Sequence, residues 1–248
     1  MAIAFNTANL VAQFTDWRFQ LSNWGAQDAL SARSMTEEVW DSTCAMIRAA
    51  GFDAVEVWSA HISPALTDEP RARRFREILD GHGLLPIGAA GGMTPELARV
   101  CQWMDMPACN GGFRCAEDVL KIAEATGIAA NYENHPEKSA QAILDRIGPD
   151  ERIGVALDSG WLGTQGVDAV EAVRILGRRI RHVHLKDVKA PGAHETCQLG
   201  TGCVNLEGMI GALKEIGYQG HWSWEDEPED RNPFDIAAAT HAWISERV

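Results

Sequence analysis

The 248-residue sequence predicts a single α/β domain, a closed (β/α)₈ or TIM barrel spanning residues 1–248. Three observations predict it. Eight short strand-like runs recur along the chain, most of them followed by a helical pattern. Strands alternating with helices imply a parallel sheet, and eight units of about thirty residues suit a sheet that closes on itself. No linker or shift in composition divides the chain. A doubly wound open sheet is the competing architecture.

The first strand is read at residues 3–9, followed by a long connection, 10–33, that carries Trp17 and Trp24. A helix is expected over 35–50, with Ser34 and Glu37 spaced as a capping box. Strands follow at 53–58 and 84–90, separated by the helical pattern EPRARRFREILDGH. The helix TPELARVCQ leads to the fourth strand, 104–110, where Pro107 removes a ladder donor. The helix CAEDVLKIAEAT precedes strand five at 128–133, and EKSAQAILDRI precedes strand six at 152–158. VDAVEAVRIL leads to strand seven at 180–186. A second long connection, 187–203, and the helix NLEGMIGALKEI lead to strand eight at 221–225, and FDIAAATHAWISE closes the chain. Gly51, Gly127 and Gly217 stand where helices end, as left-handed C-terminal positions require. Connections 10–33 and 187–203 exceed the usual ~2–6 residues. Both leave the carboxyl ends of strands, where barrel active sites are built. Segment 10–33 is a candidate lid, with a passive surface excursion as the alternative.

Apolar residues make up 46% of the chain, enough for a full core. The net charge of −13 would repel a phosphate backbone at long range, so no nucleic-acid partner is expected. The amino terminus lacks a basic leader region, and no run reaches ~18 apolar residues, so neither a signal peptide nor a membrane span is expected. The six cysteines show no Cys-x-x-Cys spacing, which suits free thiols in a reducing cytoplasm.

The stretch RHVHLKDVKA, 181–190, places His182, His184 and Lys186 on one face of a strand and Val183 and Leu185 on the other. Such groups are costly to bury unless paired or bound. The same alternation puts Asn131, Glu133 and His135 on one face of strand five, Asp158 inward at the end of strand six, and Ser223 with Glu225 inward on strand eight. Glu133, Asp158, His184 and Glu225 therefore end four consecutive strands at the barrel mouth. Three converging carboxylates raise one another's pKa unless a cation sits among them. One divalent metal ion resolves that conflict, and the donor set suits Mn²⁺ foremost, then Mg²⁺, Co²⁺ or Zn²⁺. Each residue taken alone is more ordinarily a hydrogen-bonded core group. Asp187 is read as a cap or turn residue, Asp226 and Glu227 as solvated, and Cys197 and Cys203 as unlinked loop thiols.

The segments GFDAVEVW, YENH, ALDSGW, HVHLKDV, GTGCVNLEGMIGALKEIGYQG and WSWEDE resemble the sugar phosphate isomerase/epimerase superfamily of xylose-isomerase-like barrels. That superfamily includes ketose 3-epimerases, hydroxypyruvate isomerase, inosose dehydratase and, more distantly, endonuclease IV. The resemblance implies metal ligands at Glu133, Asp158, His184 and Glu225, and proton transfer by Glu133 and Glu225. In one place the chain departs from it. Many members carry a histidine three residues after the strand-six aspartate, and here that position is Trp161. A second metal is therefore not expected, and a simple ketose epimerase is less favoured.

The expected activity is metal-dependent proton abstraction next to a carbonyl of a sugar or keto sugar, of isomerase or epimerase type through an enediolate. A lyase acting on 3-keto sugars or keto-glycosides, such as a C-glycoside deglycosidase or dehydratase subunit, is the runner-up. An AP-endonuclease-like phosphodiesterase would want three metals and a basic groove, and a non-catalytic sugar-binding module is the bland alternative. His135 is the expected general acid–base, unless it is only a loop histidine beside Pro136, and Lys186 is expected to face oxyanion charge. His61, Trp58, Trp161 and Trp24 are the expected substrate-binding residues, the tryptophans as apolar walls or as packing under loops. A homo-oligomer is expected, or a small second subunit if the chain cleaves C-glycosides.

Overall fold

In a computed structural model, which describes residues Met1–Val248, eight parallel strands close into a barrel. They are β1 (Ile3–Asn6), β2 (Ala54–Trp58), β3 (Leu85–Ala90), β4 (Ala108–Asn110), β5 (Ala129–Glu133), β6 (Ile153–Asp158), β7 (Ile180–Leu185) and β10 (Trp222–Trp224). β1 joins β2 on one side and β10 on the other, which completes the ring. A two-stranded antiparallel hairpin, β8 (Asp187–Val188) with β9 (Thr196–Cys197), stiffens the connection after β7.

The helices are α1 (Trp24–Ser34), α2 (Glu37–Ala49), α3 (Glu69–Gly81), α4 (Pro95–Trp103), α5 (Ala116–Thr126), α6 (Ala140–Ile147), α7 (Ser159–Gln165), α8 (Ala169–Leu176), α9 (Leu206–Glu215) and α10 (Phe234–Ser245). Oxygen-bearing side chains cap most of their amino ends: Thr36, Asp68, Thr94, Ser139, Asp158, Asp168 and Asn205 each accept an N–H from the first turn. Gly51, Gly127 and Gly217 all take positive φ, as expected. No helix is long and apolar enough to cross a membrane.

Four details depart from the sequence reading. β1 stops at Asn6, because the Asn6 side chain accepts the Ala8 N–H and turns the chain into a 3₁₀ helix over Thr7–Leu10. Segment 10–33 is not a bare loop, since its second half is most of α1. Ser34 ends α1, so the cap of α2 falls to Thr36, whose hydroxyl accepts the Val39 N–H. α7 was not expected at all.

Large apolar side chains fill the layer between strands and helices. Phe5 packs edge-on to Phe52 and to Trp224, with ring centroids 5.5 and 5.3 Å apart. The barrel interior is different. Its floor is small, Ala4, Ala54 and Ile87, and above it lies a buried polar layer that includes Glu56, Asn110, Asn131, His182, His184 and Ser223. Register brings His184 opposite Asp158 on β6 and Ser223 on β10. Shifts of register at Val55/Glu56 and at Val155/Ala156 lie just before Glu56 and Asp158. Such irregularities re-aim side chains near active sites.

Candidate functional site

The carboxyl ends of β5, β6, β7 and β10 carry Glu133, Asp158, His184 and Glu225 to one place. One donor-type atom from each lies within 4.8 Å of the others. His184 Nδ1 is 2.7 Å from Glu133 Oε1 and 3.0 Å from Glu225 Oε2. All four residues are buried; Glu133 and Glu225 line a cavity of about 360 Å³, and Asp158 and His184 lie below it.

The donors are not all satisfied. Asp158 Oδ1 accepts the Trp161 N–H at 2.9 Å and caps α7, while buried Oδ2 has no hydrogen-bond partner. The Lys186 ammonium lies 3.8 Å from it, too far for a hydrogen bond. Burial pushes the Asp158 carboxyl up to about 6; Lys186 opposes this, and Glu225 and Glu133 add to it. Burial alone would lower the His184 pKa, but Glu56, Glu225 and Glu133 hold it well above the ordinary range. An orphaned carboxylate oxygen among two more carboxylates and an imidazole fits a divalent cation. The ligand types present are those of an oxygen-rich site with one nitrogen.

Lys186 is buried and pairs with Glu225 at 3.0 Å and with Glu227. Its stem lies against Gly160, where a side chain would collide with it. It faces a smaller cavity beside the first, together with Trp161, Thr164 and His194. His135, half-buried, lines the main cavity, with Nε2 3.7 Å from Glu133 Oε2. Its ring meets Trp161 edge-on at 5.0 Å. Trp24 and Trp58, 5.3 Å apart, form the opposite wall. Gly91, Gly92, Gly111 and Gly112, from the turns after β3 and β4, supply a wall of bare backbone. A Cβ on Gly111 would run into the Gly91 and Gly92 backbone, so only glycine allows this approach.

His61 is a correction. It does not line the cavity: a turn in which its N–H bonds the Trp58 carbonyl drops it under Trp58, with Nδ1 3.0 Å from Thr7 Oγ1. Burial lowers its pKa to about 3, so it stays neutral there. Asp226 is likewise not solvated; it is buried and bonded to Arg231 at 2.6 Å. Glu227 is half-buried against Lys186 rather than free in solvent. Asp187 does organise its loop, accepting N–H bonds from Val188, Gly200, Gly202 and Val204.

The sequence reading passed over Glu56, Asn6 and Asn110. Glu56 is fully buried and bonds both His182 and His184. Asn6 Nδ2 donates to Glu225 Oε2 at 2.6 Å. The signal was available, since Glu56 lies two residues before inward-facing Trp58 and so shares its face.

The family described as xylose isomerase-like TIM barrel matches residues 113–247, just over half of the chain. The chain belongs to that family. The inosose dehydratase of Clostridium beijerinckii is 25% identical over 231 residues, covering 78% of this chain and 77% of the relative. An L-ribulose 3-epimerase structure superposes with a TM-score of 0.73 at 19% identity, covering 99% of this chain and 94% of that one. The IolI protein, whose structure has a bound zinc atom, superposes with a TM-score of 0.71 at 17% identity, covering 100% and 99%. At these identities the two superpositions establish the xylose isomerase-like fold and no more.

Proposed function

We propose that this protein is a divalent-metal-dependent enzyme that removes a proton next to a carbonyl of a sugar or keto sugar. The observation that carries the reading is the convergence of Glu133, Asp158, His184 and Glu225 beneath a cavity whose wall includes His135. Those four side chains would hold the ion, and the zinc atom in the IolI structure supports a divalent one. When bound, such an ion supplies Lewis acidity that makes the C–H beside a carbonyl acidic. His135 takes the proton, and Glu133, in contact with it, holds the imidazolium that results. Trp58 and Trp161 offer flat apolar faces to the substrate ring. In the glycine wall the Gly91 and Gly111 N–H groups are already bonded, which leaves the peptide groups of Gly92 and Gly112 for the substrate's hydroxyls.

Returning the proton gives an isomer or epimer. Losing a group from the neighbouring carbon gives a lyase, and the inosose dehydratase relatives favour loss of water as the outcome. Incubating the Mn²⁺-supplemented protein with a panel of keto sugars and inososes in D₂O, read by NMR, tests the reading. The expected result is deuterium at the carbon beside the carbonyl. Conversion of a substrate that neither gains deuterium at that carbon nor loses its hydrogen there to an elimination would point to hydride transfer or hydrolysis and overturn it.

The segment that begins at Leu10 covers this cavity with Leu21, Trp24 and Asp28, and the Phe19 N–H ties it to the Glu229 carbonyl at 3.0 Å. Closure of such a cover excludes water from a reactive carbanion. Trp24→Ala is therefore expected to lower kcat while metal content stays unchanged. Turnover at the wild-type rate would make the segment packing and not a lid.

A further inference from the structure

We propose that Glu56 is a positioning residue for the metal centre, fixing which nitrogen of His184 faces the metal. The inference rests on the metal-dependent reading above. Glu56 sits on β2, across the barrel from β7, and is completely buried. It does not line the cavity, and its link to the cluster beneath it runs through His184.

Its carboxylate accepts from four side chains. Asn110 Nδ2 donates at 2.7 Å to Oε1, and Ser223 Oγ donates at 2.6 Å to Oε2. His182 Nε2 lies 2.9 Å from Oε2, and His184 Nε2 lies 3.1 and 3.0 Å from the two oxygens. Gly88, opposite Glu56 in register, keeps the space that Asn110 uses to reach it; a Cβ there would come 3.0 Å from Asn110 Nδ2. A carboxylate only accepts, so in the metal-free chain each ring nitrogen of His184 turns an N–H to a carboxylate, Nε2 to Glu56 and Nδ1 to Glu133 and Glu225. When the ring gives up one proton to become a ligand, Glu56 keeps the one on Nε2. The Nδ1 lone pair so freed would face the cluster of Glu133, Asp158 and Glu225. A histidine ligand whose second ring N–H is held by a carboxylate is the usual arrangement at protein metal sites.

Glu56, His182 and His184 are themselves close enough to hold an ion. Their bonding argues otherwise. Each Glu56 oxygen already has protein donors, whereas the unpartnered oxygen belongs to Asp158 in the neighbouring cluster. Glu56 is the support, and the ion's place is on the other side of the His184 ring.

The substitution that isolates this role is Glu56→Gln, which keeps the size of the side chain. Its amide N–H donates to Nε2, the proton moves to Nδ1, and Nδ1–H then points at Glu133 and Glu225. That arrangement suits the metal-free chain and blocks coordination. Calorimetric titration with Zn²⁺ is expected to show a Kd weakened about 10–100-fold in the variant, the range usual for loss of such a support. Nitrogen-15 NMR of the histidine rings adds a readout that loosened packing would not move. The Zn²⁺-loaded wild type should keep a proton on Nε2; without metal, the wild type should carry a proton on both ring nitrogens and the variant on Nδ1 alone. Zn²⁺ bound through Nε2 in the wild type, which requires no variant to fold, overturns the proposal. So does a variant with wild-type Kd, or one that binds weakly with its tautomer unchanged. A wild type that binds no divalent ion overturns the metal reading as well.

Discussion

Replacing Asp158 with asparagine is expected to abolish divalent-metal binding while leaving the metal-free protein at least as stable as the unsubstituted chain. Asp158 Oδ1 is occupied as the cap of α7, and an asparagine amide oxygen can accept the same Trp161 N–H. Oδ2 is buried without a donor, close to Glu133 and Glu225. In the metal-free chain its charge is a liability, which is why burial raises its pKa. Removing that charge relieves the fold and deprives the ion of an anionic ligand. His184→Ala contrasts with it: metal is lost too, but Glu56, Glu133 and Glu225 lose the group they share, and breaking such a buried pair costs about 3–5 kcal/mol. Thermal melts with and without Mn²⁺ separate the cases. A hundredfold excess of ligand over Kd stabilises by about 2.7 kcal/mol. At roughly 2–4 °C per kcal/mol, that is a rise in Tm of about 5–11 °C. The wild type should show the rise and Asp158→Asn should not. If the variant keeps it, Asp158 is not a ligand.

The inward faces of the late strands were legible because a strand has a period of two, and each of Glu133, Asp158, His184 and Glu225 stands near a strand end where polarity breaks an apolar run. α1 was not legible because it has no apolar stripe: only Gln27 and Ser31 are buried along it. α7 is seven residues with two glycines, and its start is set by the Asp158 side chain rather than by any periodicity. His61 was misplaced because one turn of backbone after β2 decides its direction, and strand alternation carries no information beyond the strand. Asp226 looked solvated in the acidic run EDEPED because Arg231, its partner, comes five residues later on a loop that folds back. Glu56 was overlooked for a different reason. Its function depends on His182 and His184, more than 120 residues away in sequence, and only closure of the barrel brings them together.

Alanine at position 135 is expected to slow substrate deuteration by about 10²–10⁴, the usual loss for a positioned acid–base group. Metal affinity should stay at the wild-type level, because His135 is not among the four clustered residues proposed to hold the ion. The geometry makes the substitution clean. The backbone at this position is held independently of the ring: its N–H donates to Glu137 Oε2 at 3.0 Å, and its carbonyl accepts from Gln165 Nε2 at 3.2 Å. The ring itself is half-exposed and touches the Trp161 edge and Glu133. Truncating it removes a proton acceptor from the cavity wall and leaves the scaffold standing. Residual exchange is expected to pass through Glu133, whose carboxylate lies beside that ring. Glu225→Ala should instead lose metal and exchange together, because Glu225 touches His184, Lys186 and Asn6 at once. If His135 is merely a loop histidine, its alanine variant will melt lower and exchange at the wild-type rate. That outcome would move the base to Glu133.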